Sequence, residues 1–213
     1  MEVVSEEPKL HNVKFHFYLP NSKKLLHNNP EWAENSYSWG NYFTYRLNQS
    51  KTVYSIFPKA GFVNITGVCS FNDIPQALDE FNRQFFTKIK VDEIIVDNST
   101  ASGTIEICDR AQKVHRTISS KKLRLDLWRV KKLVSQCSKY QNARISLYPK
   151  YFPAAVIRSK LAPTVLLFAS GKYTIVGAKS VEKIRAAHQQ ICAIIQDALM
   201  TFPQAIAFAQ NVG

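Results

Sequence analysis

The feature that most constrains this chain is that it says the same thing twice. Arg46 and Arg158, Phe57 and Phe168, and Gly67 and Gly177 are matched pairs standing 112, 111 and 110 residues apart. Each trio lies in a run of short β-branched and aromatic segments broken by turn residues. In the first copy these are Tyr42–Leu47, Thr52–Phe57 and Phe62–Ile65, separated by Asn48-Gln49-Ser50 and Pro58-Lys59-Ala60-Gly61. In the second copy, Ser170-Gly171 between Leu166-Leu167-Phe168 and Tyr173-Thr174-Ile175-Val176 is a hairpin signal, with Pro153 and Pro163 as further punctuation. A helical period follows each copy. Ile74, Leu78, Phe81, Phe85 and Ile89 share one face, with Ser70 or Asn72 as cap and Pro75 in the first turn. After Ser180 as N-cap, Val181, Ile184, Ala187, Ile191, Ile194 or Ile195, and Ala198 do the same. Strand–strand–strand–helix, twice over, predicts an α+β chain with antiparallel sheets and a helix laid on each.

A strand also leads into each copy. Val13–Leu19 alternates around aromatic residues behind Asn12, and Val91–Val96 leads to Asn98. The separation of Asn12 and Asn98 is only 86, so the second copy carries about 25 additional residues between its Asn and its Arg. They fall around 108–141. There Leu123, Leu127, Val130, Val134 and Cys137 suggest an inserted amphipathic helix ringed by Lys121, Lys122, Arg124, Arg129, Lys131 and Lys132. Its cations are either solvated or face a nucleic acid or protein partner. The expected organisation is a frayed arm over 1–11, repeats over 12–90 and 91–199, and a tail over 200–213.

Charge narrows the partner. The net charge is +12, and residues 91–213 hold 18 Lys+Arg against 8 Asp+Glu, compared with 10 against 8 in residues 1–90. A basic half of this kind points to a polyanion. Cys69, Cys108, Cys137 and Cys192 are scattered, with no C-x-x-C spacing and no nearby His at zinc spacing, which suits idle thiols in a reducing compartment. No secretory h-region or run of about 18 apolar residues is readable, so no membrane association is expected. H-E-x-x-H, G-x-S-x-G and the phosphate-loop pattern are all missing, and Asp79-Glu80 and Asp92-Glu93 are adjacent carboxylates whose side chains diverge. No enzyme activity, cofactor or small-molecule substrate is expected.

The run Pro149…Phe152-Pro153…Arg158…Pro163…Leu166-Leu167-Phe168-Ala169-Ser170-Gly171-Lys172…Gly177-Ala178-Lys179…Ala187…Ile195 resembles the repeat motif of the TATA-binding protein family. The resemblance implies a curved, saddle-like antiparallel sheet with helices on its convex face. It implies a transcription initiation factor that kinks A·T-rich promoter DNA through the minor groove, acting in the nucleus or, for a viral chain, in a cytoplasmic transcription compartment. Phe152, Phe168 and Phe57 then match intercalating wedges, and Trp39 falls near the fourth. Asn12 and Asn98 match base-contacting asparagines, and Thr66, Thr100, Leu166, Thr174 and Val176 match groove-lining positions. Arg46, Arg158, Lys172 and Lys179 match phosphate contacts. Transcription factor IIB and the polymerase machinery are the implied protein partners, although Tyr148 and Lys150 flank Pro149 where the family is acidic.

The first copy departs from the pattern. Ala60-Gly61-Phe62 stands for S-G-K, Gly67-Val68-Cys69 for G-A-K, and Lys14 and Asn64 replace apolar groove-lining residues. This is the pattern of a divergent member. The rival reading keeps the fold but makes it a protein-interaction module, or a relaxed DNA binder that no longer recognises TATA.

Overall fold

The computed structural model describes residues 2–19, 37–38, 42–46, 51–109, 114–117, 123–202 and 206–208. Trp39, Lys121, Lys122 and most of 20–41 lie outside the described residues. The chain divides into an N-terminal unit, Leu10–Ser99, and a C-terminal unit made of Met1–Lys9 with Thr100–Gly213.

In the N-terminal unit the strands are β2 (Lys9–Tyr18), β3 (Tyr37–Ser38), β4 (Phe43–Arg46), β5 (Val53–Phe57) and β6 (Phe62–Val68), hydrogen-bonded in the order β2-β6-β5-β4-β3 and all antiparallel. Burial alternates along β5 and through Val13–Phe17 of β2 and Phe62–Ile65 of β6, as the sequence period demands. Phe15, Phe17, Tyr54, Ile56, Val63 and Ile65 are buried on one face, against Leu78, Phe81 and Phe85 of helix α1 (Ile74–Phe85). Phe81 anchors this layer, edge-on to Phe17 and stacked on Phe85. The helix is reached through a short 3-10 turn, Phe71–Asp73, which Ser70 caps by accepting from the Asn72 N–H.

The C-terminal unit repeats this design with β11 (Ala143–Tyr148), β12 (Phe152–Ser159), β13 (Thr164–Phe168) and β14 (Lys172–Ala178), paired in chain order. Ile157, Val165, Leu167 and Ile175 are buried on the inner face. Helix α3 (Val181–Thr201) buries Ile184, Ala187, Ile191, Ile194, Ile195 and Ala198 and packs on β13 and β14. Helix α2 (Leu127–Gln136) packs on β11 and α3. The repetition extends to backbone angles. Gly61 and Gly171 close equivalent turns at φ 69° and 79°, and Gly67 and Gly177 sit at 86° and 88°, a region L side chains rarely adopt. At Gly67 a Cβ would also run into the Lys51 carbonyl.

Four expectations change. The segment Val91–Val96 is not a strand throughout: Val91–Glu93 is a 3-10 turn, and β7 runs from Ile95 to Thr104, carrying Asn98 and Thr100. The stripe from Leu123 is not one helix. Leu123–Leu125 forms β10, paired with β15 (Ile206–Phe208), and the helix begins at Leu127 because Asp126 caps the Trp128 and Arg129 amides. The expected frayed arm instead carries strand: Glu2–Val4 forms β1, paired with β8 (Glu106–Asp109), which also pairs with β9 (Val114–Thr117), and β2 already begins at Lys9. Residues 200–213 are not wholly a tail, since α3 reaches Thr201 and β15 follows.

Candidate nucleic-acid interface

Among the described residues no helix covers the outer face of either unit's sheet, and the matched site residues divide between those two faces. In the C-terminal unit, Val156, Leu166 and Thr174 stand directly opposite one another across β12, β13 and β14, and Ser146 extends the row onto β11. Thr164 and Val176 form a second pair on the same face. All six are half-buried, whereas Val165, Leu167 and Ile175 beside them are sealed in the core. The outer face of this unit is therefore a shallow apolar strip carrying a few hydroxyls.

Phe152 and Phe168 end that strip. Phe168 pairs with Ala154, two residues along β12 from Phe152. The small Ala154 leaves room for both rings, which meet edge-to-face with centroids 6.3 Å apart. Phe152 is 40% exposed and Phe168 half-buried, so neither belongs to the core. Arg158 lies on the same face as Phe152, opposite Arg144, and both are exposed, as are Lys172 and Lys179. Among the described residues none of Arg158, Lys172 and Lys179 is held in an ion pair, unlike Lys139, whose Nζ is 2.7 Å from Asp197. A cavity of about 750 Å³ opens beside Phe168, lined by Lys172, Thr174, Lys9, Glu6, Glu7 and Glu106. Around Lys172 the local charge is thus mixed.

In the N-terminal unit Phe57 takes part in a stack that sequence reading missed. Its ring lies between those of Tyr42, 4.9 Å away, and Phe62, 4.5 Å away. Phe57 and Phe62 face each other because the Pro58–Gly61 turn pairs them in register. Thr66 and Val53 pair on this outer face, with exposed Arg46 next along it. Asn12 accepts a hydrogen bond from the Gly67 N–H at 2.8 Å, which ties the side chain to the strand bulge. Asn98 is half-buried on β7 and has interactions of its own, and Thr100 is half-buried on the same strand.

Two residues were not anticipated. His16 on the outer face of β2 donates from Nδ1 to the Asp97 carboxylate at 2.8 Å, and Lys14 Nζ approaches the same carboxylate at 3.8 Å. Elsewhere, the C-terminal unit contains a polar cluster on its helix side. Tyr173 Oη bonds to His188 Nδ1 at 2.6 Å, and Ser5 Oγ lies 3.1 Å from His188 Nε2 and 3.2 Å from Cys192 Sγ. Burial raises the pKa of Tyr173 and of Cys192 and lowers that of His188, although Glu7 acts against the last shift. A protonated thiol with a raised pKa is a poor nucleophile, and the contacts of Ser5 with His188 and Cys192 tie the N-terminal segment to α3. Among the described residues no group of three metal-ligating side chains occurs, and no helix is long and apolar enough to cross a membrane.

Comparison with known proteins places the C-terminal unit first. The family model described as transcription factor TFIID (or TATA-binding protein, TBP) matches residues 121–198. That span takes in α2 and runs almost to the end of α3; β8 and β9 lie outside it. Among solved structures, Methanococcus jannaschii TBP is similar with a TM-score of 0.62 and 24% identity, over 91% of this chain and 99% of that chain. A search of curated proteins gave no match. The fold is that of the TATA-binding proteins, and the family's sequence pattern is matched in the C-terminal unit.

Proposed function

We propose that this TATA-binding-protein-like chain is a transcription initiation factor that binds and kinks promoter DNA through the minor groove and recruits the transcription machinery to it. The observation that carries the reading is the Phe152–Phe168 pair. Two rings that a strand would ordinarily bury stand half-open at the end of an apolar strip, flanked by cations held in no ion pair. That is what a wedge requires. Unstacking a base step costs a few kcal/mol, and the bent duplex offsets this by contacting more protein surface. The TATA-binding protein is itself an established example of such bending, so that energetic balance is taken over from it.

Within this reading Phe152, Phe168 and Phe57 lever apart base steps, and Trp39, outside the described residues, is the remaining candidate. Leu166, Thr174, Val176, Thr66 and Thr100 lie against the groove floor, and Asn12 and Asn98 reach base acceptors. Arg46, Arg158, Lys172 and Lys179 hold phosphates. The turn joining β11 and β12 presents Tyr148, 67% exposed, and Tyr151, 89% exposed, beside Lys150. This turn suits a transcription factor IIB-like partner whose own surface has lost the basic character that an acidic stirrup would demand. The nucleus, or a cytoplasmic transcription compartment, follows from the same role.

The test is a short A·T-rich duplex carrying a donor and an acceptor dye at its ends, titrated with the parent chain and with Phe152→Ala/Phe168→Ala. The parent should shorten the end-to-end distance, and the variant should bind more weakly and leave the duplex nearly straight. A variant that bends DNA as the parent does would overturn the wedge. A parent that binds no duplex would favour the protein-interaction reading instead.

A further inference from the structure

The two outer faces differ in a way that the repeat would not lead one to expect. At the centre of the C-terminal unit's face the row reads Ser146, Val156, Leu166, Thr174. In the N-terminal unit the positions that match Val156, Leu166 and Thr174 by the repeat offsets are Thr44, Ser55 and Asn64, paired in register across β4, β5 and β6, and His16 continues the row onto β2. The Asp97 carboxylate ends this second row, accepting from His16, whose ring is also edge-on to Tyr18 and Phe62. Every member of the row carries a hydrogen-bonding group and is half-buried, with the apolar core of Phe15, Tyr54, Ile56, Val63 and Ile65 directly behind it. Charge follows the same division. The N-terminal unit has 9 Lys+Arg against 8 Asp+Glu, so the chain's excess of cations belongs almost wholly to the other unit.

The minor groove offers few features by which to tell base pairs apart. A·T and T·A pairs present only acceptors there, and a G·C pair adds one donor, the guanine N2 amine. An apolar row gives that amine no partner, and burying it unpaired carries a penalty. The Val156–Leu166 strip is therefore selective for A·T. The polar row can pair with the amine instead: the Asn64 amide oxygen and the Ser55 and Thr44 hydroxyls can accept from it, as can the Asp97 carboxylate, which His16 and Lys14 hold at the end of the row.

We propose that the N-terminal unit recognises a G·C-containing half-site through Asp97, Asn64 and Ser55, while the C-terminal unit takes an A·T-rich half-site. The binding site on DNA is then composite, and the difference between its halves fixes the orientation in which the chain sits. This rests on the DNA-binding reading above, and the test separates the two. Fluorescence anisotropy of the full chain is measured on four labelled duplexes whose halves are A·T/A·T, A·T/G·C, G·C/A·T and G·C/G·C. Inosine·cytosine versions, which lack only the minor-groove amine of the G·C pairs, are measured alongside. The composite duplex should bind about tenfold more tightly than the all-A·T duplex, and inosine should abolish that advantage. Asn64→Val and, separately, Asp97→Asn should shift preference back towards all-A·T; two variants are used so that a folding defect in one, checked by thermal melting, does not decide the matter. Equal affinity for composite and all-A·T duplexes, or an advantage that survives inosine, overturns the half-site proposal while leaving DNA binding intact. Binding to none of the duplexes overturns both.

Discussion

If Arg158, Lys172, Lys179 and Arg46 hold phosphates, the salt dependence of binding can be predicted from the structure. All four are exposed, and among the described residues none is tied up in an ion pair. Each phosphate neutralised releases condensed counterions, so log K falls against log salt with a slope of about −0.9 per contact. Four contacts give about −3.6, which is roughly a 150-fold loss of affinity between 50 and 200 mM salt. Arg158→Gln removes one contact. The slope should fall to about −2.7, and the same change in salt should then cost only about 40-fold. Lys139→Gln serves as the control, because its ammonium is already committed to Asp197 at 2.7 Å on the helix side of the unit. The assay is anisotropy of a labelled A·T-rich duplex titrated at five or so potassium chloride concentrations. A slope unchanged by Arg158→Gln, or reduced as much by Lys139→Gln, would refute the assignment of phosphate contacts to this face.

Three further outcomes follow from the structure. His188 has its pKa lowered by burial, with Glu7 opposing, so the unfolded chain takes up the proton first. Stability contributed here is present above the unfolded value near 6.5 and is lost as pH falls below it, so urea midpoints measured at pH 7.5 and 5.5 should converge in His188→Gln. Gly103→Ala would place a Cβ on the hydroxyl of Tyr173, which is buried and bonded to His188, and should cost about 1–3 kcal/mol in chemical denaturation. A cost within error of zero would mean that Tyr173 moves freely. Asp126→Ala removes the cap of α2 and should lower stability by about 1 kcal/mol, a fall in Tm of about 2–4 °C.

What could be read in advance was what local chemistry dictates. The paired glycines mark backbone angles that only glycine adopts easily, so Gly61, Gly67, Gly171 and Gly177 announce equivalent turns and bulges in both copies. Strict alternation around Tyr54, Ile56, Leu167 and Ile175 identifies the inner face, and hence by elimination the outer one. The Leu123–Val134 stripe misled because Leu123, in a strand, happens to stand four residues before Leu127 and so continues the helical spacing backwards. Asp126 immediately before Leu127 was the available signal for the true start. The β1–β8 pair was illegible for a different reason. A three-residue strand such as Glu2–Val4 has no period to read and exists only because another edge receives it. The His16–Asp97 bond joins residues 81 apart, and nothing local to either foretells it.

That bond bears on why the two copies diverged as they did. A tandem repeat with identical faces would bind a symmetric site in either direction equally well, so on the proposed function a difference between the faces is what would give the bound chain one direction. Having Lys14 and Asn64 on the outer face of one copy leaves the core untouched, because inner and outer residues alternate and Phe15, Phe17, Val63 and Ile65 keep their places. The scaffold can thus tolerate polar change on one side of a strand at little cost in folding. On the half-site proposal the change would cost affinity for A·T, and the cations of the C-terminal unit, with its two rings and apolar strip, are the features able to hold the duplex in compensation. On this view the C-terminal unit supplies grip and the kink, and the N-terminal unit supplies the direction. Exchanging the row in the second copy for that of the first, by Val156→Thr with Leu166→Ser, should therefore weaken binding to the A·T/A·T and composite duplexes and abolish any orientation preference.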